Sequence, residues 1–190
     1  MAKLIIVLGT QGAGKSSVLA GVSGTVRVVN IGDEMLKLAA GEYGINDRDK
    51  MRQMPGYAEK SEQWRKKIFS GLAAQDGIVI VDTHASIKAA NRYTPGLALT
   101  DLEAIRGSAA AIVYVDASTE EILKRRESDK TRNREQDTAE EISQHRSINL
   151  SLASFFSAYL NIPLYVIYNK EGELQKAQEK LKSVFQEIGA

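Results

Sequence analysis

The 190-residue chain contains no cysteine, only two histidines and almost no net charge. The absence of cysteine excludes a disulfide framework and thiolate chemistry. The net charge of +1 creates no global field that would recruit nucleic acid or an anionic membrane. The sequence also lacks repeats, low-complexity tracts, a membrane-length apolar run and a recognisable signal peptide. We therefore expect a single-domain protein located in the cytoplasm.

What the chain does contain is enough apolar residues, 43%, to build a real core. Helical patterns separate about five apolar runs, and this alternation predicts an α/β fold with three layers and a central parallel sheet. The expected strands are Lys3–Gly9, Val26–Asn30, Ile78–Asp82, Ala111–Asp116 and Leu164–Asn169. Ligands of such sheets bind at the carboxyl ends of the strands, here Gly9, Asn30, Asp82, Asp116 and Asn169. Residues 31–76 and 127–136 interrupt the alternation, and we interpret both as inserts beside the active site.

The first strand runs into a segment that fits the phosphate-loop pattern G-x-x-x-x-G-K-S/T. Glycines let the backbone turn tightly, so that several N–H groups point at one phosphate. Lys15 would reach the β- and γ-phosphates, and Ser16 would ligate Mg²⁺. The alternative, a glycine-rich turn that binds nothing, is disfavoured by the strand before it and the helix after it. The candidate nucleotide-binding residues here are Gly9, Thr10, Gln11, Gly12, Ala13, Gly14, Lys15, Ser16 and Ser17.

Two carboxylates end apolar strands. Asp82 closes a run typical of the strand whose aspartate holds the Mg²⁺ shell, here through water. The alternative for Asp82 is a helix cap or a loop carboxylate. Asp116 is followed by Ser118 and Thr119, which favours helix capping for this group.

Arginines concentrate in two places. Four of them lie between Arg125 and Arg134, where they would stabilise a transferring phosphoryl group. The alternative is a solvated helix face, balanced by neighbouring carboxylates. Arg48 and Arg52 would share a helix face in the first insert, where a second anionic substrate would enter. Surface pairing with Asp47 and Asp49 is the alternative there.

The remaining signals are the histidines and the aromatic residues. His84 has no partner histidine for a metal site, and we expect it to form hydrogen bonds within the site. His145 lies between apolar helix positions, which favours a satisfied histidine in the core. Adjacent Phe155 and Phe156 cannot both face one core, so a second apolar face there would suit an oligomer contact.

Together these motifs resemble the archaeal-type adenylate kinases, within the nucleoside monophosphate kinases. The resemblance runs nearly end to end. It is carried by the phosphate loop and by five further segments. These are Val29–Asp33, Asp47–Arg52, Val81–His84 with Ile87-Lys88 and Tyr93–Leu97, Arg125-Arg126 with Thr131–Arg134, and Tyr168–Lys170.

The resemblance implies reversible transfer from MgATP to AMP, giving two ADP. It implies one domain over residues 1–190, with a monophosphate-binding helical insert at about 31–76 and a short lid at about 127–136. Catalysis would fall to Lys15, Arg126, Arg132 and Arg134, and the donor base to Asn169 and Lys170. Acceptor binding would involve Gly32, Arg52, Asp82, His84, Lys88, Gly96 and Leu97. The implied assembly is a homo-oligomer, usually a trimer, with ATP, AMP and ADP as its only implied partners.

The chain departs from the wider family in two ways, and from the archaeal group at Arg92 and Ala98. Asp82-Thr83-His84-Ala85-Ser86 stands where bacterial and eukaryotic enzymes carry D-G-F-P-R, so Lys88 must replace the usual arginine. The large lid is missing, and without cysteine a zinc-bound lid is excluded. Arg92 and Ala98 replace an expected Gly and Pro.

The sequence leaves four alternatives to the adenylate kinase reaction. Two are kinases, one that phosphorylates CMP or UMP and one with relaxed donor choice, such as GTP. The third is a GTPase-type switch, suggested by Asn169-Lys170-Glu171-Gly172. The fourth is a nucleotide-dependent assembly factor.

Overall fold

The fold is taken from a computed structural model that describes residues 2–89, 92–128 and 137–189. Seven strands and eight helices are described. The strands are β1 (Lys3–Gly9), β2 (Arg27–Asn30), β3 (Ile78–Asp82), β4 (Ser86–Ala89), β5 (Arg92–Pro95), β6 (Ala109–Asp116) and β7 (Leu164–Tyr168). The helices are α1 (Lys15–Ala20), α2 (Ile31–Tyr43), α3 (Arg48–Gln53), α4 (Tyr57–Ala73), α5 (Leu99–Ile105), α6 (Thr119–Ser128), α7 (Ala139–Leu160) and α8 (Leu174–Gly189).

Five strands form one sheet in the order β2-β3-β1-β6-β7, with every pair parallel. The predicted parallel sheet is therefore confirmed, with strand bounds that differ by at most two residues. Because all five strands run the same way, their carboxyl ends lie along one edge. This edge positions the candidate site.

Alternate residues of the central strand β1 supply the two halves of the core. Leu4, Ile6 and Leu8 pack with α2, α4, α5 and α7 on one face of the sheet. Ile5 and Val7 pack with α1 and α8 on the other. All five side chains are fully buried, as a sheet covered on both faces requires. The three-layer prediction is confirmed.

Residues 31–76 contain three helices, α2, α3 and α4. The helical spacing of Trp64, Ile68 and Leu72 predicts a helix over Tyr57–Gln75, and α4 confirms it. Asn30 begins α2 as its cap, since its side chain accepts a hydrogen bond from Asp33 N at 3.1 Å. Two further elements were not predicted, the short helix α5 and the antiparallel hairpin β4–β5.

The longest described helix, α7, separates its adjacent phenylalanines. Phe156 is 1% exposed and lies in the core, while Phe155 is 47% exposed. The prediction that the pair cannot share one core is confirmed. None of the described helices combines the length and the apolar character needed to cross a bilayer.

Candidate active site

Strand ends meet at the predicted edge and are joined by direct hydrogen bonds. Asn30 Nδ2 at the end of β2 donates to Asp82 Oδ2 at the end of β3, at 2.6 Å. Asn169 N, just after β7, donates to Asp116 O at 2.8 Å. Polar groups therefore join the strand ends in pairs on either side of β1, β2 with β3 and β6 with β7.

The phosphate loop leaves β1 at Gly9 and has the geometry that its glycines permit. Gly12 and Gly14 have φ of 95° and 83°, a region that side chains with a Cβ rarely adopt. A Cβ on Gly14 would lie only 2.2 Å from Asn169 Nδ2. Both glycines are thus required by this backbone, and the loop is folded as the motif predicts.

Lys15, the first residue of α1, forms an ion pair with Asp82 at the end of β3. Burial lowers the pKa of Lys15 to about 8. Apart from this ion pair, Asp82 Oδ1 is buried and accepts no hydrogen bond within the described residues. Ser16 follows Lys15 in α1 and is an exposed residue.

The side-chain oxygens of Asp82 and Ser16 are what a small divalent cation prefers. Mg²⁺ binds hard oxygen ligands and usually takes only one or two from the protein, with phosphate and water supplying the rest. Within the described residues there is no group of three or more His, Cys, Asp or Glu side chains that would hold a metal alone. Ser16 and Asp82 therefore fit a cation that arrives with a phosphate ligand.

Two neighbouring arginines of α6 donate hydrogen bonds to backbone carbonyls of the phosphate loop. Arg125 donates to Ala13 O at 3.2 Å and to Asn169 O at 2.8 Å. Arg126 donates to Gln11 O through Nε at 3.0 Å and through Nη2 at 2.8 Å. Asn169 Nδ2 also donates to Ala13 O, at 2.9 Å. The loop, α6 and the end of β7 thus form one hydrogen-bonded unit.

Asp137 joins this unit to the hairpin. Its two oxygens accept from Arg126 Nη1 at 2.6 Å and from Lys88 Nζ at 2.6 Å. Lys88 also donates to Glu141 at 3.0 Å. The hydrogen bond to Asp137 is the main cause that raises the pKa of Lys88 to about 12. Burial tends to raise the pKa of Asp137, but its bonds to Lys88 and Arg126 outweigh burial and lower it.

The second polar group of residues lies at the ends of β2 and β3. Arg48 Nη2 donates to Asn30 at 3.2 Å and pairs with Asp33 at 2.5 Å, so pairing with Asp47 or Asp49 is wrong for this residue. Arg52 does pair with Asp49, at 3.4 Å, with about half of its side chain exposed.

His84 lies in the same region, beyond β3. Burial and the nearby cations Lys15, Arg52 and Arg48 lower the pKa of His84 to about 4, so its imidazole is neutral at pH 7. Its side chain has no hydrogen-bond partner among the described residues, and the hydrogen bond within the site that we expect for it stays a prediction. Gly96 approaches it closely, since a Cβ there would lie 2.0 Å from His84 O. Leu97 follows in the core, 2% exposed.

Some of the remaining residues that the sequence predicts for the site lie within the part of the chain that the structure describes, and others do not. Thr10, Asn169 and Gly32 lie along the site edge, while Ser17 and Lys170 are exposed. Arg132 and Arg134 lie outside the described residues, as does most of the predicted lid at 127–136.

Asp116 does not cap a helix. Both of its oxygens accept from Arg146, at 3.0 and 2.7 Å, and Ser118 caps α6 through its bond from Glu121 N. A buried carboxylate needs a paired charge, and Arg146 supplies it from α7. Sequence reasoning missed Asp137 and Asn149, whereas Arg125 belonged to the arginine cluster that it singled out. Asp137 lies three residues after the predicted Arg134, but Asn149 had no local signal.

His145 is buried as predicted, and its Nε2 lies 3.0 Å from Ser86 Oγ. Burial, with the cations Arg126 and Lys88 outweighing Asp137, lowers the pKa of His145 below its ordinary 6.5. The unfolded chain therefore binds this proton first as the pH falls. We expect the free energy of unfolding to decrease as the pH falls below about 6.5, with His84 contributing down to its pKa of about 4.

The variant His145→Gln isolates the share of His145, because an amide still donates to Ser86 without titrating. Urea unfolding at pH 7 and pH 5 should show a smaller loss of stability for the variant than for the wild type. Equal losses in the two proteins would contradict a depressed His145 pKa.

Comparison with known proteins agrees with this geometry. The profile of the family described as "AAA domain" matches residues 8–143. The adenylate kinase of Methanothermobacter thermautotrophicus is 31% identical over 186 residues, covering 97% of this chain and 100% of the relative. The adenylate kinase of Thermoplasma acidophilum is 34% identical over 181 residues, covering 94% and 96%.

Solved structures extend the likeness of the fold. Shikimate kinase from Acinetobacter baumannii superimposes with a TM-score of 0.60 at 15% identity, covering 98% of this chain and 95% of its own. Shikimate kinase from Bacteroides thetaiotaomicron gives a TM-score of 0.53 at 12% identity, covering 97% and 98%. At such identities the likeness concerns the fold alone. The full-length matches to the curated relatives go further, and the chain belongs to the archaeal adenylate kinases, a group of the nucleoside monophosphate kinases.

Proposed function

We propose that this kinase transfers the terminal phosphoryl group of ATP to AMP, reversibly, giving two ADP. The observation that carries the proposal is that two cations form ion pairs with the single carboxylate of Asp137. Lys88 comes from the hairpin and Arg126 from the helix above the phosphate loop, and both hold one carboxylate. A carboxylate offers two anionic oxygens, as a phosphate does. A cation of the hairpin and a cation of α6 therefore converge on one anionic group, as they would on a phosphoryl group passing between two nucleotides.

The ATP-binding half of the site is formed by the phosphate loop and the residues that hydrogen-bond to it. The loop amides, Lys15 and the segment after β7 line one cleft, since Asn169 bonds the loop at Ala13. Ser16 and Asp82 would hold Mg²⁺, which would neutralise charge on the phosphates when ATP is bound. The donor-binding residues that we propose are Gly9, Thr10, Gln11, Gly12, Ala13, Gly14, Lys15, Ser16, Ser17, Asn169 and Lys170.

The acceptor half would lie between the hairpin and the helices of the insert. Arg52 and Lys88 are its cations, and Gly96 allows close backbone approach to His84. A neutral His84 would not compete with them for the phosphate. The proposed acceptor-binding residues are Gly32, Arg52, Asp82, His84, Lys88, Gly96 and Leu97.

Catalysis in this arrangement would come from positioning and from charge. Lys15 and Arg126 would stabilise the oxygens of the transferring group, and no strong base is needed. The same roles for Arg132 and Arg134 stay a prediction. So does the lid at 127–136, within a single domain whose monophosphate-binding insert spans about 31–76.

Several wider properties are proposed with the activity. The exposed Phe155 on α7 supports a homo-oligomer, and the family resemblance suggests a trimer. The ligands would be ATP, AMP and ADP, with neither nucleic acid nor membrane as partner and no zinc. The proposed location is the cytoplasm.

The proposed acceptor is tested by a coupled assay with MgATP and each of AMP, CMP, UMP and GMP. We expect kcat/KM for AMP to exceed that for the other acceptors by at least about tenfold, a difference of about 1.4 kcal/mol in transition-state binding. Equal turnover of CMP or UMP would indicate relaxed acceptor choice. Hydrolysis of GTP without any acceptor would favour the switch-type alternative.

A further inference from the structure

A chain of buried hydrogen bonds joins the two halves of the site behind the reacting groups. It runs through Ser86 at the start of β4, Asn149 on α7 and Thr10 in the phosphate loop. Asn149 Oδ1 accepts from Ser86 Oγ at 2.5 Å, and Asn149 Nδ2 donates to Thr10 Oγ1 at 3.0 Å. The chain continues on either side to His145 and to Tyr114, at 3.0 and 2.9 Å.

The donor and the acceptor of each hydrogen bond in this network can be assigned. The carbonyl of Arg146 can only accept, so Tyr114 donates to it, at 3.4 Å. The Tyr114 oxygen then accepts from Thr10, and Thr10 in turn accepts from the amide of Asn149. The oxygen of Asn149 therefore faces Ser86 and accepts its proton. Ser86 is left to accept from Nε2–H of His145, which fixes the tautomer of the neutral imidazole.

The linking residues cannot touch a nucleotide through their side chains. Asn149 is 1% exposed, Ser86 5% and His145 4%. A fully paired buried network restricts the groups that it connects to one arrangement. Here the connected groups are the donor loop and the hairpin that carries Lys88. A second path joins the same two elements, from Lys88 through Asp137 and Arg126 to Gln11 O, but it runs through the cations of the site itself. The path through Asn149 is the buried one.

We propose that Asn149 is a positioning residue that fixes the separation between the phosphate loop and the acceptor hairpin. The inference rests on the proposed phosphoryl transfer, for which the two nucleotides must be aligned in line. A displacement of about 1 Å in such a reaction costs about 10²-fold in rate. Losing the tie would therefore lower kcat, while each nucleotide alone would still find its own half of the site.

The variant Asn149→Leu removes the tie without leaving its neighbours unpaired. Leucine is close in size to asparagine and carries no polar group. Ser86 can then donate to Nε2 of the other His145 tautomer, and Thr10 still donates to Tyr114. Ser86→Ala breaks the same tie from its other end. Ser157→Ala is the matched control, since it removes a hydrogen bond to Ile162 O, of 2.5 Å, at the far end of the same helix.

The experiment measures kcat with AMP, together with the dissociation constants of ADP and of AMP by titration calorimetry. For Asn149→Leu we expect kcat to fall about 10- to 100-fold. Both dissociation constants should stay within about threefold of the wild-type values. Ser86→Ala should lower kcat similarly, and the double variant should be no worse than Asn149→Leu alone. Ser157→Ala should keep the wild-type kcat.

The inference is overturned if Asn149→Leu keeps kcat within twofold of the wild type, or if its loss appears as weaker binding of a single nucleotide. It is also overturned if the double variant loses the product of the two single effects. Failure of the proposed function is a different result, since wild-type protein would then transfer no phosphoryl group to AMP. In that case, the thermal midpoints of the two single variants and the double variant still test by non-additivity whether Ser86 and Asn149 act as one unit.

Discussion

Replacing Lys15 with methionine is expected to lower kcat/KM for phosphoryl transfer by about 10³-fold. Removing one preorganised group that stabilises transition-state charge has effects of this order. Methionine keeps much of the apolar stem of lysine, so the loss reports the ammonium group. Initial rates with saturating AMP and varied MgATP measure it, and a variant within tenfold of the wild type would contradict the role.

The same substitution has a second consequence, because Lys15 is the ion-pair partner of Asp82. Removing one member of a buried pair leaves the other charge uncompensated, at a cost of about 3 kcal/mol. Lys15→Met should therefore also lower the free energy of unfolding. Adding Asp82→Asn should recover much of the stability and none of the activity. A double variant that regained activity would show that the loss arose from misfolding.

The sheet was predictable because its strands are continuous apolar runs. A strand covered by helices on both faces has no polar side, so runs such as Leu4–Leu8 need no alternation to be recognised. The hairpin had no such signal. Its strands have four residues each and carry Lys88 and Arg92, and only pairing with each other gives them strand geometry. Helix α2 was hidden by Gly32 and Gly41, although Asn30 followed by Asp33 is a capping signal that points to its start.

The site divides in the same way. The backbone of the phosphate loop could be predicted, because the motif specifies the local conformation on which the chemistry of such loops depends. Asn149 could not be found from sequence, since its partner Thr10 lies 139 positions away. Asp116 was misassigned for a related reason. The nearby Ser118 offered a local explanation, while Arg146, 30 positions away, provides the actual partner.

Substituting the two adjacent arginines of α6, Arg125 and Arg126, is expected to have the second large effect. One substitution should weaken ATP binding and the other should slow the chemical step. Arg126 spans from Gln11 to Asp137, where the phosphoryl group would pass. An arginine that stabilises this transition state is worth about 10³-fold or more in kcat. In the described part of the chain, the side chain of Arg125 donates hydrogen bonds only to Ala13 O and Asn169 O. Its loss should loosen the donor cleft and leave the chemical step nearly intact.

We therefore expect Arg126→Met to lower kcat by about 10³-fold. Arg125→Met should mainly raise KM for ATP, by about tenfold, which corresponds to one charged hydrogen bond of about 1.4 kcal/mol. Each variant is the control for the other, since the two substitutions are chemically identical and lie on consecutive residues of one helix. Steady-state kinetics over ATP concentration separates the two parameters. If both variants changed KM alone, the whole arginine pair would only shape the loop, and the transferring group would have to be stabilised from elsewhere.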